Sequence, residues 1–167
     1  SYNGCNKVTK LVTKSGKSDI SSYEYSYYLD GSDACKVRNE NGTIETTSYD
    51  YDGLKRLTKE SISNGKTADT YSYEYDDYGN RSKMVANGSE EYETVYDYTV
   101  NGKYTALLQK EIKTVEETSN ATISDGLAIS PTDLITSTAA DAKTEETAYS
   151  YDANGNQITK ITADKTE

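Results

Sequence analysis

The chain reads as an all-β protein, an antiparallel β-meander of ~24-residue hairpin repeats forming a curled single-layer sheet. Three observations lead there. Tyrosine recurs as a Tyr-x-Tyr doublet at Tyr25/Tyr27, Tyr49/Tyr51, Tyr73/Tyr75, Tyr96/Tyr98 and Tyr149/Tyr151, with steps of 24, 24, 23 and 53 between second tyrosines. A fixed period of roughly 20–50 residues marks one supersecondary unit stacked on itself. The best copies alternate aromatic and polar residues, as a strand with one buried face does. Turn residues then follow each doublet in phase.

Composition restricts the core. Leu, Ile and Val total 24 of 167 residues, Met is single, Phe and Trp are absent, and the formal net charge is −10. That balance alone points to disorder. Seventeen tyrosines reverse it, because a phenol ring buries apolar area while its hydroxyl stays wet or bonded, which suits a half-exposed sheet face.

Taken in order, Tyr2 followed by Asn3-Gly4 reads as a truncated first copy. Tyr25-Ser-Tyr27-Tyr-Leu-Asp30-Gly31 carries an extra turn residue, and Tyr49-Asp-Tyr51-Asp52-Gly53 shortens the turn. Asn41-Gly42 and Asn64-Gly65 mark turns at the opposite end. The fullest copy has Tyr71, Tyr73 and Tyr75 alternating with Ser72 and Glu74, then Asp76-x-x-Gly79, then Arg81–Ala86 as the returning strand. Asp76 can cap backbone N–H groups two residues on, and Gly79 accepts the positive φ that closes a short hairpin loop. Asn87-Gly88 is a two-residue hairpin signal. In Tyr96-Asp-Tyr98-Thr99, Thr99 replaces the capping Asp, whereas the last copy restores it with Asp152 and Gly155. The domain organisation expected is a hairpin array over 1–115, a Ser/Thr/Ala-rich low-complexity insertion over 116–146, and a final copy over 147–167. Within the insertion, Ser130-Pro131-Thr132-Asp133 has the N-cap, N1 proline and early acid of a short helix. Most such excursions are tolerated insertions, and some are functional loops.

The pattern Tyr-x-Tyr-Asp-x-x-Gly-Asn, complete at 73–80 and 149–156 and degenerate elsewhere, resembles the YD repeat of the Rhs/YD-repeat superfamily. The resemblance covers the chain outside about 116–146. It implies a YD-repeat shell segment: a long sheet spiralling into a hollow shell that encapsulates a toxin effector or serves as a cell-surface scaffold. It also implies a secreted or cell-surface, bacterial setting. The aspartyl self-cleavage segment of such shells needs Asp before Pro; here Ser130 precedes Pro131.

Chemistry is sparse. Histidine is absent, which removes Ser-His and Cys-His nucleophile systems and most transition-metal sites. The 28 acids read as outer-face charges and turn caps rather than glycosidase pairs; Glu90-Glu91 and Glu116-Glu117 would discourage sheet-to-sheet association. Asp152-Ala-Asn154-Gly-Asn156 imitates the opening of an EF-hand loop, but Gln157 and Ala163 stand where that loop needs Gly and Glu. No enzyme, cofactor or metal is therefore expected. Cys5 and Cys35 are either a disulfide or two free thiols. A two-strand separation of about 10 Å argues against the bond, while turn positions could relax it.

The tyrosine doublets have two readings, a structural spine or a stacking surface for glycans. The acidic balance argues against nucleic acid and anionic membrane surfaces, and no apolar run approaches the ~18–20 residues that span a bilayer. The chain begins inside a repeat with no signal peptide and reads as an excised piece. Six to seven hairpins would give a ribbon on the order of 60 Å wide, curled, with two open edges. The expected function is a non-catalytic wall segment that encloses or displays another domain. Its partners are the rest of a larger repeat polypeptide, that domain, and further copies through edge strands. The alternative is a carbohydrate or surface-ligand binding module using the tyrosine face or the 116–146 insertion.

Overall fold

The computed structural model of the chain describes residues 1–115 and 142–166. The expected helix start at Ser130-Pro131, the Glu116-Glu117 charges and most of the 116–146 insertion lie outside the described residues. Every element described is a strand or turn, and no helix occurs among the described residues.

Two compact units divide the chain, Ser1–Glu91 and Tyr92–Glu167. The first contains β1 (Lys10–Ser15), β2 (Ser18–Tyr27), β3 (Asp33–Glu40), β4 (Thr43–Tyr51), β5 (Leu57–Ser63), β6 (Ala68–Tyr75) and β7 (Arg81–Asn87). The second contains β8 (Tyr92–Asp97), the two-residue strands β9 (Thr99–Val100) and β10 (Lys103–Tyr104), then β11 (Lys110–Val115), β12 (Lys143–Tyr151) and β13 (Gln157–Thr166). The eleven long strands run as an antiparallel meander in chain order, with β9 and β10 pairing separately. β12 runs from Lys143 and pairs along its whole length with β13.

The turn after Tyr2 and after the Tyr27, Tyr51, Tyr75 and Tyr151 doublets is one device used repeatedly. In Asp76–Asn80 the Asp76 N–H donates to the Asn80 carbonyl (2.9 Å) and the Gly79 N–H to the Asp76 carbonyl (3.0 Å). The same pair of bonds closes Asn3–Lys7, Tyr28–Ser32, Asp52–Arg56 and Asp152–Asn156 at 2.9–3.0 Å. A type I turn ending in a left-handed residue is a common three-residue hairpin connection, its twist matching that of the strands. The fourth residue is left-handed each time: Asn6 (φ 63°), Gly31 (φ 89°), Lys55 (φ 62°), Gly79 (φ 86°) and Gly155 (φ 83°). Two sequence expectations are corrected here. The Tyr27 copy has no extra residue, since Tyr28 fills the Asp slot, and the Tyr51 copy is not shortened, since Lys55 fills the Gly slot.

Two further turns differ from expectation. Asn41 (φ 50°) and Gly42 (φ 84°) form the two-residue link from β3 to β4, whereas Asn87-Gly88 does not make such a link. Gly88 instead lies at φ 140°, and a Cβ there would stand 2.3 Å from Asp69 Oδ1 and 2.6 Å from the Ala68 carbonyl oxygen. Thr99 does not cap a long turn either. Its N–H and hydroxyl donate to Asp97 Oδ1 at 2.8 and 2.7 Å, and Asn101-Gly102 closes the small β9–β10 hairpin.

Four of the five doublets also carry a register shift just before the second tyrosine. Ser26 faces Cys35 but Tyr27 faces Asp33, and the shift recurs at Asp50/Tyr51, Glu74/Tyr75 and Ser150/Tyr151. The extra residues on the returning strands are Ala34, Thr58, Ser82 and Ile158. Such bulges increase local twist and re-aim the side chain beside them.

Side chains divide by face. Across the first unit the register puts Tyr23 opposite Arg38, Arg38 opposite Glu45, Tyr49 opposite Glu60, Glu60 opposite Tyr71 and Tyr73 opposite Met84. Since directly opposed residues share a face, the doublets β2, β4 and β6 stand on one side, separated by returning strands. The other side is dominated by hydroxyls and charges, such as Ser26, Ser48, Ser61 and Thr70. Among the described residues only Thr47, Ala86, Thr94 and Thr147 are buried. All but Ala86 lie two residues before a doublet, on the same face of their strand as its tyrosines.

Candidate functional site: a tyrosine clasp at the turn edge

In three doublets the second tyrosine reaches back along the chain to an earlier carbonyl. Tyr27 Oη donates to the Val8 carbonyl (2.6 Å), Tyr75 Oη to Leu57 (2.7 Å) and Tyr151 Oη to Leu108 (2.7 Å). Val8 and Leu57 each follow immediately after a five-residue turn. The ring below such a hydroxyl is met by the basic residue that ends that turn: Lys7 Nζ lies 4.8 Å from the Tyr27 centroid and Arg56 Cζ 4.6 Å from that of Tyr75. Lys7 also donates to the Gly31 carbonyl. A cation over a phenol face contributes about 0.5–1 kcal/mol at exposed sites, and a neutral hydrogen bond about 1 kcal/mol net. Hairpin is thus tied to hairpin by a hydroxyl, a ring and a cation, beyond the strand ladder itself.

The first tyrosines have different surroundings. Tyr25 N–H donates to Thr9 and Tyr149 N–H to Gln109, both at 2.9 Å. Tyr73 lies under Arg81 at 4.3 Å and Tyr149 under Lys160 at 5.8 Å. Tyr149 Oη donates to Glu111 Oε2 at 2.7 Å. Desolvation, then that bond to the carboxylate, pushes the Tyr149 hydroxyl up to about 12. Burial likewise raises Tyr27, Tyr51 and Tyr73. Two ring-to-ring contacts join tyrosines of the first unit: Tyr23 stacks on Tyr25 at 6.5 Å, and Tyr28 meets Tyr51 edge-on at 6.2 Å. Tyr49 and Tyr96 are half-buried, opposite Glu60 and Glu111, and Tyr98 meets Tyr104 at 6.1 Å. Several rungs of the ladder are therefore tyrosine on cation or carboxylate, beside the tyrosine pairs.

The turn carboxylates serve the backbone. Asp76 Oδ1 accepts from the N–H groups of Tyr78 (2.9 Å) and Asn80 (2.8 Å), and Asp52 from Leu54 and Arg56 (2.9 Å each). Asp152 accepts from Asn154 and Asn156, and from the Asn156 amide at its second oxygen. The Arg56 N–H chiefly lowers Asp52, and the Asn156 side chain chiefly lowers Asp152. Both flanks of the Asp152 loop are strands, and its carboxylate already holds three donors. Among the described residues no three His, Cys, Asp or Glu side chains converge as a metal site would require.

Cys5 and Cys35 are both free thiols, so the disulfide alternative is not realised. Cys5 sits exposed at the tip of the first turn, while Cys35 lies within β3 opposite Ser26 and Ser48. A shallow groove between two turns is lined by Tyr28, Leu29, Asp30, Asp50, Tyr51 and Asp52. Leu29, Leu54 and Tyr78 project from successive turn tips and are strongly exposed.

Sequence reasoning did not find Lys7, Arg56 or Glu111. Lys7 and Arg56 were visible as bases four residues after a turn's first residue, but the carbonyls they accompany leave no trace in side-chain identity. A search of protein-family models gives no match to this chain, and a search of curated proteins gives none either.

Proposed function

We propose that this chain is a non-catalytic wall segment of the Rhs/YD-repeat type, part of a secreted or surface-exposed bacterial polypeptide that encloses or displays another domain. One observation carries the reading. The same turn, bulge and tyrosine recur at Tyr27, Tyr51, Tyr75 and Tyr151, so no one of these copies is singled out for chemistry and each is shaped to receive the next. The turn carboxylates cap backbone, and the phenols clasp neighbours. A sheet with four buried residues among those described gains most from neighbours that cover it, and the remainder of a longer repeat polypeptide is the neighbour proposed.

The Tyr28/Tyr51 groove with its three aspartates favours a second reading, a glycan-binding module, since an aromatic platform beside hydrogen-bond acceptors suits a sugar ring. Two measurements separate the readings. The reading frame around this segment should encode further Tyr-x-Tyr repeats at the same step, and a glycan array probed with the 167-residue protein should stay at background. A frame without repeats overturns the wall. A saturable glycan signal abolished by Tyr28→Ala, with unchanged thermal unfolding, establishes the binding module.

A further inference from the structure

We infer that the groove between the Tyr28–Ser32 and Asp52–Arg56 turns is a docking site for a basic side chain, carried with an apolar neighbour on an exposed segment of a partner protein. The first of these turns departs from its four equivalents. It opens with Tyr28, where the others carry Asn3, Asp52, Asp76 and Asp152. Its second residue is Leu29, where they carry Gly4, Gly53, Asp77 and Ala153. Asp30 takes over part of the capping, accepting the Ser32 N–H at 2.9 Å and the Ser32 hydroxyl at 3.1 Å. The backbone does not require the exchange, since the same two bonds close all five turns. Leu29 is fully exposed and Tyr28 is 44% exposed. A leucine held in water at a turn tip gains nothing from folding and is free for a partner.

The groove is held in shape and is negative. Tyr28 Oη donates to the Tyr49 carbonyl at 2.9 Å and to Asp50 Oδ1 at 3.4 Å, which fixes the ring across to the neighbouring hairpin. Tyr51 meets that ring edge-on at 6.2 Å, so the two make an aromatic corner. Leu29, Asp30, Asp50 and Asp52 complete the lining of a space of about 480 Å³, within the range of small-ligand pockets. Two of the carboxylates are already engaged. Asp52 accepts the Leu54 and Arg56 N–H groups and the Arg56 guanidinium, and Asp30 faces Ser32 and Lys55. Asp50 takes the long bond from Tyr28, and among the described residues no lysine or arginine pairs with it. A cation entering the corner meets ring faces that attract it and a carboxylate without a counter-charge. Its aliphatic stem lies along Leu29, and the apolar neighbour covers that tip. Phosphate groups, nucleic acid and anionic lipid are repelled by the same charges. A neutral sugar finds the rings but leaves Asp50 without a counter-charge.

Neither a larger shell nor a sugar is needed for this site, so it stands or falls apart from both readings above. The test is an amide-resolved NMR titration of the 167-residue protein with the peptide Gly-Leu-Arg-Leu-Gly, blocked at both ends. Saturable shifts are expected at residues 28–32 and 49–54, with the turn at 152–156 unmoved. Citrulline in place of the peptide's arginine keeps the shape, removes the charge, and should abolish saturation. Asp50→Asn should weaken binding about three- to five-fold, the worth of one exposed charge pair. Tyr28→Ala should remove binding, and cooperative thermal unfolding should persist in both variants. Absence of saturable shifts overturns the inference, as does equal binding of the citrulline peptide, or binding unchanged by Asp50→Asn. Shifts at the same residues with a neutral oligosaccharide, chitotetraose, and none with the peptide also overturn it, and favour the glycan module.

Discussion

Lys55 holds φ at +62° in the slot that glycine fills in three other turns. A left-handed conformation costs an L-residue roughly 1–2 kcal/mol, and the rest of the turn imposes it. Lys55→Gly should therefore stabilise the protein by about 1 kcal/mol, read as a higher midpoint in urea. The ion pair it removes, Lys55 to Asp30 at 3.4 Å, is largely exposed and contributes little. A lower midpoint would mean that the side chain, not the backbone, decides this position. The turn aspartates set the response to acid. Asp52 and Asp152 are held below the ordinary 3.8 by bonds that favour the carboxylate. Their contribution is complete above that value and is lost as pH falls through the depressed folded values. The thermal midpoint should fall as acid is added below about pH 4, and Asp52→Asn should flatten that fall. At the alkaline end the sign reverses. Tyr149 stays neutral up to about 12 against an ordinary 10, so its contribution holds below pH 10 and is lost between the two values. Tyr149→Phe should reduce that alkaline loss.

At the scale of the element, the clasp makes hairpins cooperate. Tyr75→Phe keeps the ring under Arg56 and removes only the bond to Leu57. A loss of about 1 kcal/mol is expected in urea unfolding, and Tyr27→Phe should add to it within about 0.5 kcal/mol because the two clasps share no partner. Strong non-additivity would show the clasps coupled through the sheet. The strands themselves were legible, because alternation of tyrosine with Ser, Glu or Asp dictates which face is buried. The degenerate turns were not. Tyr28 and Lys55 carry no turn signature, and their loops close because the same backbone bonds form around them. Asn87-Gly88 misled for the opposite reason: a strong local signal yielded to Asp69, which accepts the Ser89 N–H and hydroxyl at 2.6 Å each. The clasp joins groups 18 to 43 residues apart and ends on a carbonyl, which every residue has, so no pattern of side chains announced it.

Over the whole molecule, stability is a sum of hairpins and their neighbour contacts instead of one core, as in other repeat arrays. The net charge of −10 works against compaction through self-repulsion, and salt screens it. Raising ionic strength should therefore raise the thermal midpoint, and a fall would show that the scattered ion pairs outweigh the repulsion. The most direct measurement of the hairpin-by-hairpin account is residue-resolved amide hydrogen exchange on the wild type and on Tyr75→Phe. Protection should drop locally, in β5, β6 and β7, while β1 and β2 keep theirs. An equal loss in every strand, or no loss near Leu57, would contradict the claim that a clasping tyrosine ties its own hairpin to the one before.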